Sequence, residues 1–452
     1  MDFIERFRNA VKIPGYWPPG ALPGDAAAEA VLSRFQEFLA EAYPAFHRAA
    51  ERHVLGPYAV LYRWPGTAAG STTAGSNAAN SEAVLMVAHY DVVPAETEKW
   101  NVDPFGAERK DGFIYGRGTL DMKATLMSLM EGAENLCLSG FRPKQDIWFA
   151  FGGDEERTGV LGAMEAAKWF AKRGQRFSWI LDEGTPIGEK QIKGIDTPLA
   201  LVSIEEKGFL SLDLRVAQEP GHASRPPKTQ AVAVLGRALC RIAARPFPWK
   251  LSPTVETFFR QISSLMPGVQ GFVMRHARAL GPLFFLAAGG SATTAAMLRT
   301  TVAMTQLEGS AADNVLPSEA RAVINLRLLQ PWTVDTAVAF IKKSVNDDRV
   351  IISAHGLGTD PVAAGGDHER APWPGIKAAL NEAWPGVPML PFIMVATTDS
   401  RHYKDMAGSI FRFSPHKLDP QELGGVHGHN ERISEENLLK GLKFYTKLME
   451  SL

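Results

Sequence analysis

Five short stretches of this 452-residue chain place imidazoles and carboxylates directly behind apolar runs. VLMVA (84–88) leads into His89 and Asp91, and IWFAF (147–151) leads into GGDEE, with Asp154, Glu155 and Glu156. WIL (179–181) leads into Asp182 and Glu183, and IFRFSP (410–415) is followed by GGVHGHNE, with His427, His429 and Glu431. In GRGTLDMK (116–123), Asp121 stands just before a helical pattern. If the apolar runs are neighbouring strands of an open α/β sheet, their carboxyl ends converge on one crevice. Carboxylates collected there repel one another and are costly to bury unless paired with a cation. The motifs themselves offer little positive charge beyond Arg117 and Lys123. A divalent metal resolves the conflict. Histidine and carboxylate donors without thiolate suit zinc, and also cobalt or manganese. Two histidines and three carboxylates suffice for a two-metal site with one bridging carboxylate. Taken singly, each stretch has an ordinary explanation: a core histidine, a solvated acidic turn, a glycine turn with a helix cap. Their conjunction at strand ends carries the metal reading.

The elements that must position these groups alternate in the first half of the chain. Helix-like AAEAVLSRFQEFLAEAY is followed by strand-like YAVLYRW (58–64) and AVLMVAHY (83–90), with the low-complexity loop GTAAGSTTAGSNAANSE between the two strands. Strands and helices continue to alternate through WILDEG, which predicts a mostly parallel twisted sheet flanked by helices. After Glu206 the strands alternate apolar and polar residues more cleanly, as in FLSLDLRV and RAVINLRLL, which predicts a sheet with one exposed face. The expected organisation is a catalytic domain of residues 1–206 and 362–452, with an α+β lid domain of residues 207–361 inserted into it. The lid carries an extra apolar insertion at about 250–298. Within that insertion, residues 281–298 hold no charge, but glycines, a serine and threonines interrupt them. A buried or lid-lining helix and loop is therefore expected over a membrane span, with a membrane-surface or acyl-chain contact as the sharper alternative.

Composition bounds the partners. The chain is 45% hydrophobic and 21% charged with a formal net charge of −1, so neither a nucleic-acid binder nor a polybasic membrane anchor is indicated. Two cysteines, Cys137 and Cys240, cannot form a disulfide framework and fit a reducing compartment. The first residues, MDFIERFRNAV, lack the apolar core of a signal peptide and read as a first helix, so a cytoplasmic location is expected.

In this order, AHYDVVP, GRGTLDMK, GGDEE, LDEG, GHASRPP, DNVLP and HGHNE resemble the co-catalytic zinc amidohydrolases and metallopeptidases. That family includes aminoacylase, acetylornithine deacetylase, succinyl-diaminopimelate desuccinylase and glutamate carboxypeptidase. The most similar branch is that of carboxypeptidase S and the N-fatty-acyl-amino-acid hydrolases. The resemblance implies two zinc ions per chain, with His89 and Asp182 on one, Glu156 and His427 on the other, and Asp121 bridging both. His427 matches the family pattern better than His429, while Glu183 is the alternative to Asp182. Asp91 would orient the His89 imidazole. Glu155 would be the general base that takes a proton from the attacking water and hands it to the leaving amine. His222 in GHASRPP would stabilise the oxyanion, in its own chain or in a partner's site. Asn314 and Arg327 would hold the substrate carboxylate, although Arg327 could equally be a surface strand residue. Asp399 and Arg401 resemble a site-facing loop.

The implied substrate is an N-acyl amino acid or a small peptide with a free C-terminal carboxylate. In relatives the lid often forms a homodimer contact, and the 250–298 insertion could alter it or shape an acyl pocket. Two other functions are compatible with the motifs: net synthesis of long-chain N-acyl amino acids by the same site, and a non-catalytic binding protein on the same scaffold. The second predicts a broken ligand set, whereas every expected ligand is present.

Overall fold

The computed structural model describes all residues except 1, 19, 68–82, 191, 193–194, 267, 289–290 and 366–371, and omits the side chains of 286–288. The low-complexity loop at 66–82 thus lies almost wholly outside the described residues. The chain divides into two compact units. One comprises Met1–Ile204, Ala364–Phe392 and Thr398–Leu452; the other comprises Glu205–Ala363 and Ile393–Thr397.

An eight-stranded sheet organises the first unit. Its spatial order is Glu51–Val54, Ala59–Trp64, Ile147–Gly152, Val84–His89, Trp179–Gly188, Ile410–Leu418, Ala200–Glu206 and Met389–Met394. The central four strands run parallel, and antiparallel strands flank them. Strands buried on both faces must be apolar throughout, and Val84–His89 and Ile147–Gly152 are buried at every position. In register, His89 lies beside Gly152, so the carboxyl ends of these two strands deliver the His89 and GGDEE groups to the same edge. The strand from Trp179 does not stop at Asp182 as its apolar run suggests, but continues to Gly188. Its pairing with Val84–His89 covers only Val84 to Met86, so the acidic pair stands just past the shared ladder.

The helix Ala124–Leu138 is buried around nearly its whole circumference. Its two acidic residues are paired: Glu131 receives both bonds of the Arg6 guanidinium, at 2.8 and 2.9 Å. Glu134 accepts the Ala45 and Phe46 amides at the start of the helix Pro44–Ala49. The C-terminal helix Glu435–Glu450 packs on this central helix and on the strand Ile410–Leu418. Gly441 permits that close approach, since a Cβ there would stand 2.4 Å from the His416 ring.

His416 is buried, and burial pushes its imidazole from the ordinary 6.5 down to about 4. The unfolded chain therefore binds this proton between pH 6.5 and 4 while the folded chain refuses it, so stability drains as pH falls through that window. Over the full window the loss is about 3 kcal/mol. Urea unfolding at pH 7 and pH 4 should show that much less acid sensitivity in His416→Leu than in the parent; parallel pH curves would refute it.

In the second unit, the strands Thr301–Glu308, Glu319–Leu328, Gly208–Ala217 and Ile351–Ala354 form an antiparallel sheet in that order. The helices Ala231–Ala244 and Val334–Val345 bury their apolar stripes against it. The apolar insertion folds into a succession of helices. Its uncharged run forms two separate short ones, Pro282–Ala288 and Ala292–Leu298, the latter capped by Ser291. No helix among the described residues is long and apolar enough to cross a membrane.

Candidate metal centre

Among the described residues, two groups of donor side chains converge within the first unit: His89 with Glu155 and Glu183, and Asp121 with Glu156 and His427. Asp121 joins them. One of its carboxylate oxygens lies 3.1 Å from His89 Nε2 and the other lies 2.9 Å from His427 Nε2. Glu156 Oε1 is 3.2 Å from the same His427 nitrogen. His427 sits at φ +58°, a left-handed backbone turn that aims its ring at Asp121 and Glu156. His429 points elsewhere, 3.9 Å from Glu96, and belongs to neither group.

One expected donor is displaced by its neighbour. Asp182 turns its carboxylate onto the backbone, accepting the Glu183 amide at 2.8 Å and the Ser400 amide at 2.7 Å. Glu183 instead presents its oxygen 3.6 Å from His89 Nε2. Successive side chains of a strand point to opposite faces, so only one of the pair can reach the cluster, and in this structure it is Glu183.

Asp91 also does more than orient His89. The His89 Nδ1 bond goes to the Asp91 backbone carbonyl at 3.0 Å. The Asp91 carboxylate accepts the amides of Glu155 and Glu156, both at 3.1 Å, and so fixes the turn that carries both acids. Asp154 holds the far side of that turn, accepting the Leu161 and Gly162 amides.

Asp399 and Arg401, expected on a site-facing loop, are both enclosed beside the donor groups. The Asp399 carboxyl is 2% exposed and wedged against Gly152 and Gly159, where any added Cβ would collide with it. Burial pushes it well above the usual carboxylate range. The Arg401 guanidinium is also enclosed. It donates to the carbonyls of Thr398 and Thr158 and lies 3.9 Å from Glu155 Oε1. Both residues support the site from behind and do not face solvent.

In the second unit, His222 pairs with Val315 in a two-stranded ladder, and the Asn314 carbonyl accepts the Ala223 amide, so GHASRPP and DNVLP are brought together. His222 accepts the Ser224 amide at Nδ1 and is exposed. Arg327 lies apart from them on the strand Glu319–Leu328, its guanidinium 4.9 Å from the Phe209 ring centroid.

Glu431 organises the centre, yet the sequence shows it only as the last letter of a motif. It is buried and accepts from Arg117 Nη1 at 2.7 Å, from the Gly118 amide at 3.1 Å and from the Leu120 amide at 2.7 Å. It thereby clamps the loop that delivers Asp121 to the stretch that delivers His427.

The electrostatics are those of a cluster that favours a cation. Burial, reinforced by the nearby Asp121 charge, pushes Glu183 up to about 8. Burial and the Glu183 charge also hold Glu155 well above its ordinary value. Asp121 goes the other way, because hydrogen bonds from His427 and His89 outweigh its burial. Its bonds to Asp121 and Glu156 raise His427 to about 10. Protons here supply positive charge that a bound metal would supply instead, with their release. Glu156 Oε1 is buried without a hydrogen-bond donor of its own beyond the shared imidazole, as suits a ligand atom.

The model of the peptidase family M20/M25/M40 matches residues 85–451. The N-fatty-acyl-amino acid synthase/hydrolase PM20D1 of Mus musculus is 31% identical, over 99% of this chain and 87% of that protein. A carboxypeptidase S-like protein of Dictyostelium discoideum is also 31% identical, over 92% of this chain and 79% of that protein. Among solved structures, the M20 family metallo-carboxypeptidase Sso-CP2 of Sulfolobus solfataricus superposes with a TM-score of 0.72 at 15% identity, covering 100% of this chain and 99% of that one. Human carnosine dipeptidase 1 superposes with a TM-score of 0.67 at 16% identity, covering 100% of this chain and 96% of that one. Both share the fold.

Proposed function

The chain belongs to the peptidase family M20/M25/M40, and from that membership and the geometry of the centre we propose a two-metal hydrolase of amide bonds in N-acyl amino acids or short peptides with a free carboxylate. The observation that carries this reading is Asp121, whose two oxygens face two different histidines from opposite donor groups. His89, Asp121 and Glu183 would hold one ion, and Asp121, Glu156 and His427 the other. Zinc suits this nitrogen and oxygen set, as do cobalt and manganese. When bound, the ions supply Lewis acidity to the scissile carbonyl and acidify water.

The remaining work falls to the side chains. Glu155 stands with His89 and Glu183, its backbone fixed by Asp91 as that of Glu156 is, and it takes the proton of the attacking water and returns it to the leaving nitrogen. Its raised proton affinity suits the second step, because a base that will not hold a proton cannot deliver one. Arg401 lies against Glu155 and steadies its charged form before the proton arrives. His222 is the donor to the developing oxyanion. Asn314 and Arg327 are the substrate-carboxylate residues, the role for which a guanidinium fork is fitted.

Hydrolysis of acetyl, octanoyl and palmitoyl amino acids beside dipeptides, with and without chelator, tests the reading. Chelator-sensitive release of free amino acid is the expected result. Turnover that survives complete metal removal would overturn it.

The choice of Glu183 over Asp182 has its own test. Glu183→Ala should lower the metal content of the zinc-loaded protein from two ions per chain towards one. Asp182→Asn should keep two, because its role is to accept two backbone amides. Elemental analysis after dialysis decides, and the reverse pattern would restore Asp182 as the ligand.

A further inference from the structure

Next to the metal centre, and wholly within the first unit, lies a half-open cavity of about 240 Å³. Its walls are Trp17, Pro18, Val92, Val93 and Pro94, with Glu156 and Arg157 on one side. Glu156 is thus shared: its carboxylate reaches His427 at 3.2 Å, and the residue also borders the cavity. We propose that this cavity is the subsite for the acyl group of the substrate, holding an unbranched apolar chain whose carbonyl end lies at the metal centre. The inference rests on the amide-hydrolase reading above and assigns a specificity pocket to it.

The walls are built to keep their shape. The Trp17 indole donates to the Gly153 carbonyl at 3.4 Å and stacks on Tyr58 with centroids 5.7 Å apart. Val92 is held by its amide bond to the Gly15 carbonyl at 3.1 Å, and its side chain fills the space that a Cβ on Gly118 would need. Gly118 belongs to the loop that carries Asp121, so cavity wall and metal loop are packed as one body.

Charge selects the acyl half over the amino-acid half. A substrate carboxylate placed here would face Glu156 and, beyond it, Asp121. The cation on the wall, Arg157, lies over the Trp17 ring with its Cζ 4.7 Å from the centroid and donates to the Ala21 carbonyl at 2.8 Å. An apolar chain meets no such conflict. A cavity of about 240 Å³ has room for a chain of several carbons, and the open side lets a longer tail continue outward.

The test is a chain-length profile on the zinc-loaded full chain, with N-acyl glycines from acetyl to palmitoyl, beside a series of N-acetyl amino acids with growing side chains. Each methylene that enters the cavity should raise kcat/KM about threefold to fourfold until the cavity is filled, after which the profile flattens. Val93→Phe fills the space and should flatten the profile at shorter chains than in the parent. Val93→Ala should move the plateau to longer chains, which keeps the proposal testable if the larger side chain is poorly tolerated. Unchanged acyl profiles in both variants would overturn the assignment, as would a change confined to the amino-acid series. Absence of chelator-sensitive hydrolysis in the parent across both series would instead remove the amide-hydrolase reading, and the acyl assignment with it.

Discussion

Glu155→Gln should lower kcat by about 10²–10⁴-fold while the protein still loads two metal ions per chain. Glutamine keeps the volume and the backbone bond from residue 155 to Asp91, so the turn that carries Glu156 stays in place. What it loses is the ability to take and return a proton. The pairing of near-complete loss of turnover with full metal content separates a base from a ligand: a ligand variant should lose both. Elemental analysis and initial rates on one protein preparation provide the comparison. Activity within tenfold of the parent would reject Glu155 as the base. The same experiment weighs Arg401, which lies 3.9 Å from Glu155. Arg401→Met should reduce the rate less and shift its acid limb, since a neighbouring cation favours the charged carboxylate.

The second large effect is on stability. Glu431→Ala should destabilise the metal-free protein by about 3–5 kcal/mol, because it leaves the Arg117 guanidinium buried without its carboxylate partner. Several loop amides lose their acceptor at the same stroke. Denaturant unfolding measures the first consequence. Metal titration measures the second: the loop bearing Asp121 loosens, so both ions should bind more weakly, because residue 431 also holds the Asp121 backbone amide at 3.4 Å. Glu431→Gln, which keeps an acceptor oxygen, should fall between alanine and the parent. A loss below 1 kcal/mol in the alanine variant would show that the clamp is dispensable.

These two residues also mark what the sequence can and cannot reveal. The acidic run at Glu155 was legible as part of a site because five such clusters occur along the chain, although alone it would read as a solvated turn; its role as base came from the family resemblance. The parallel sheet followed from the same pattern, since strands buried on both faces have to be apolar at every position. Glu431 was not legible as a clamp. Its partners include the Leu120 amide, 311 residues earlier, and no local pattern reports a hydrogen bond to the backbone of a distant loop. The exchange of Glu183 for Asp182 has a related cause. Both are carboxylates at one strand position or the next, and which face each takes depends on the pleat of a strand that runs on to Gly188. Asp399 shows another limit: the sequence suggests a site-facing loop there, and only tertiary packing reveals that the acid is enclosed against two glycines.

The clamp has a consequence for how the protein is made. Arg117 and Glu431 are 314 residues apart, so at about 5–20 residues per second roughly 15–60 s of translation separate the two halves of the centre. Through that interval the nascent chain carries His89, Asp121 and the GGDEE acids without the stretch that anchors them. Completion of the donor cluster therefore waits until residues 427–431 have been made, and the partly made protein must keep its acidic strand ends protonated or solvated until then.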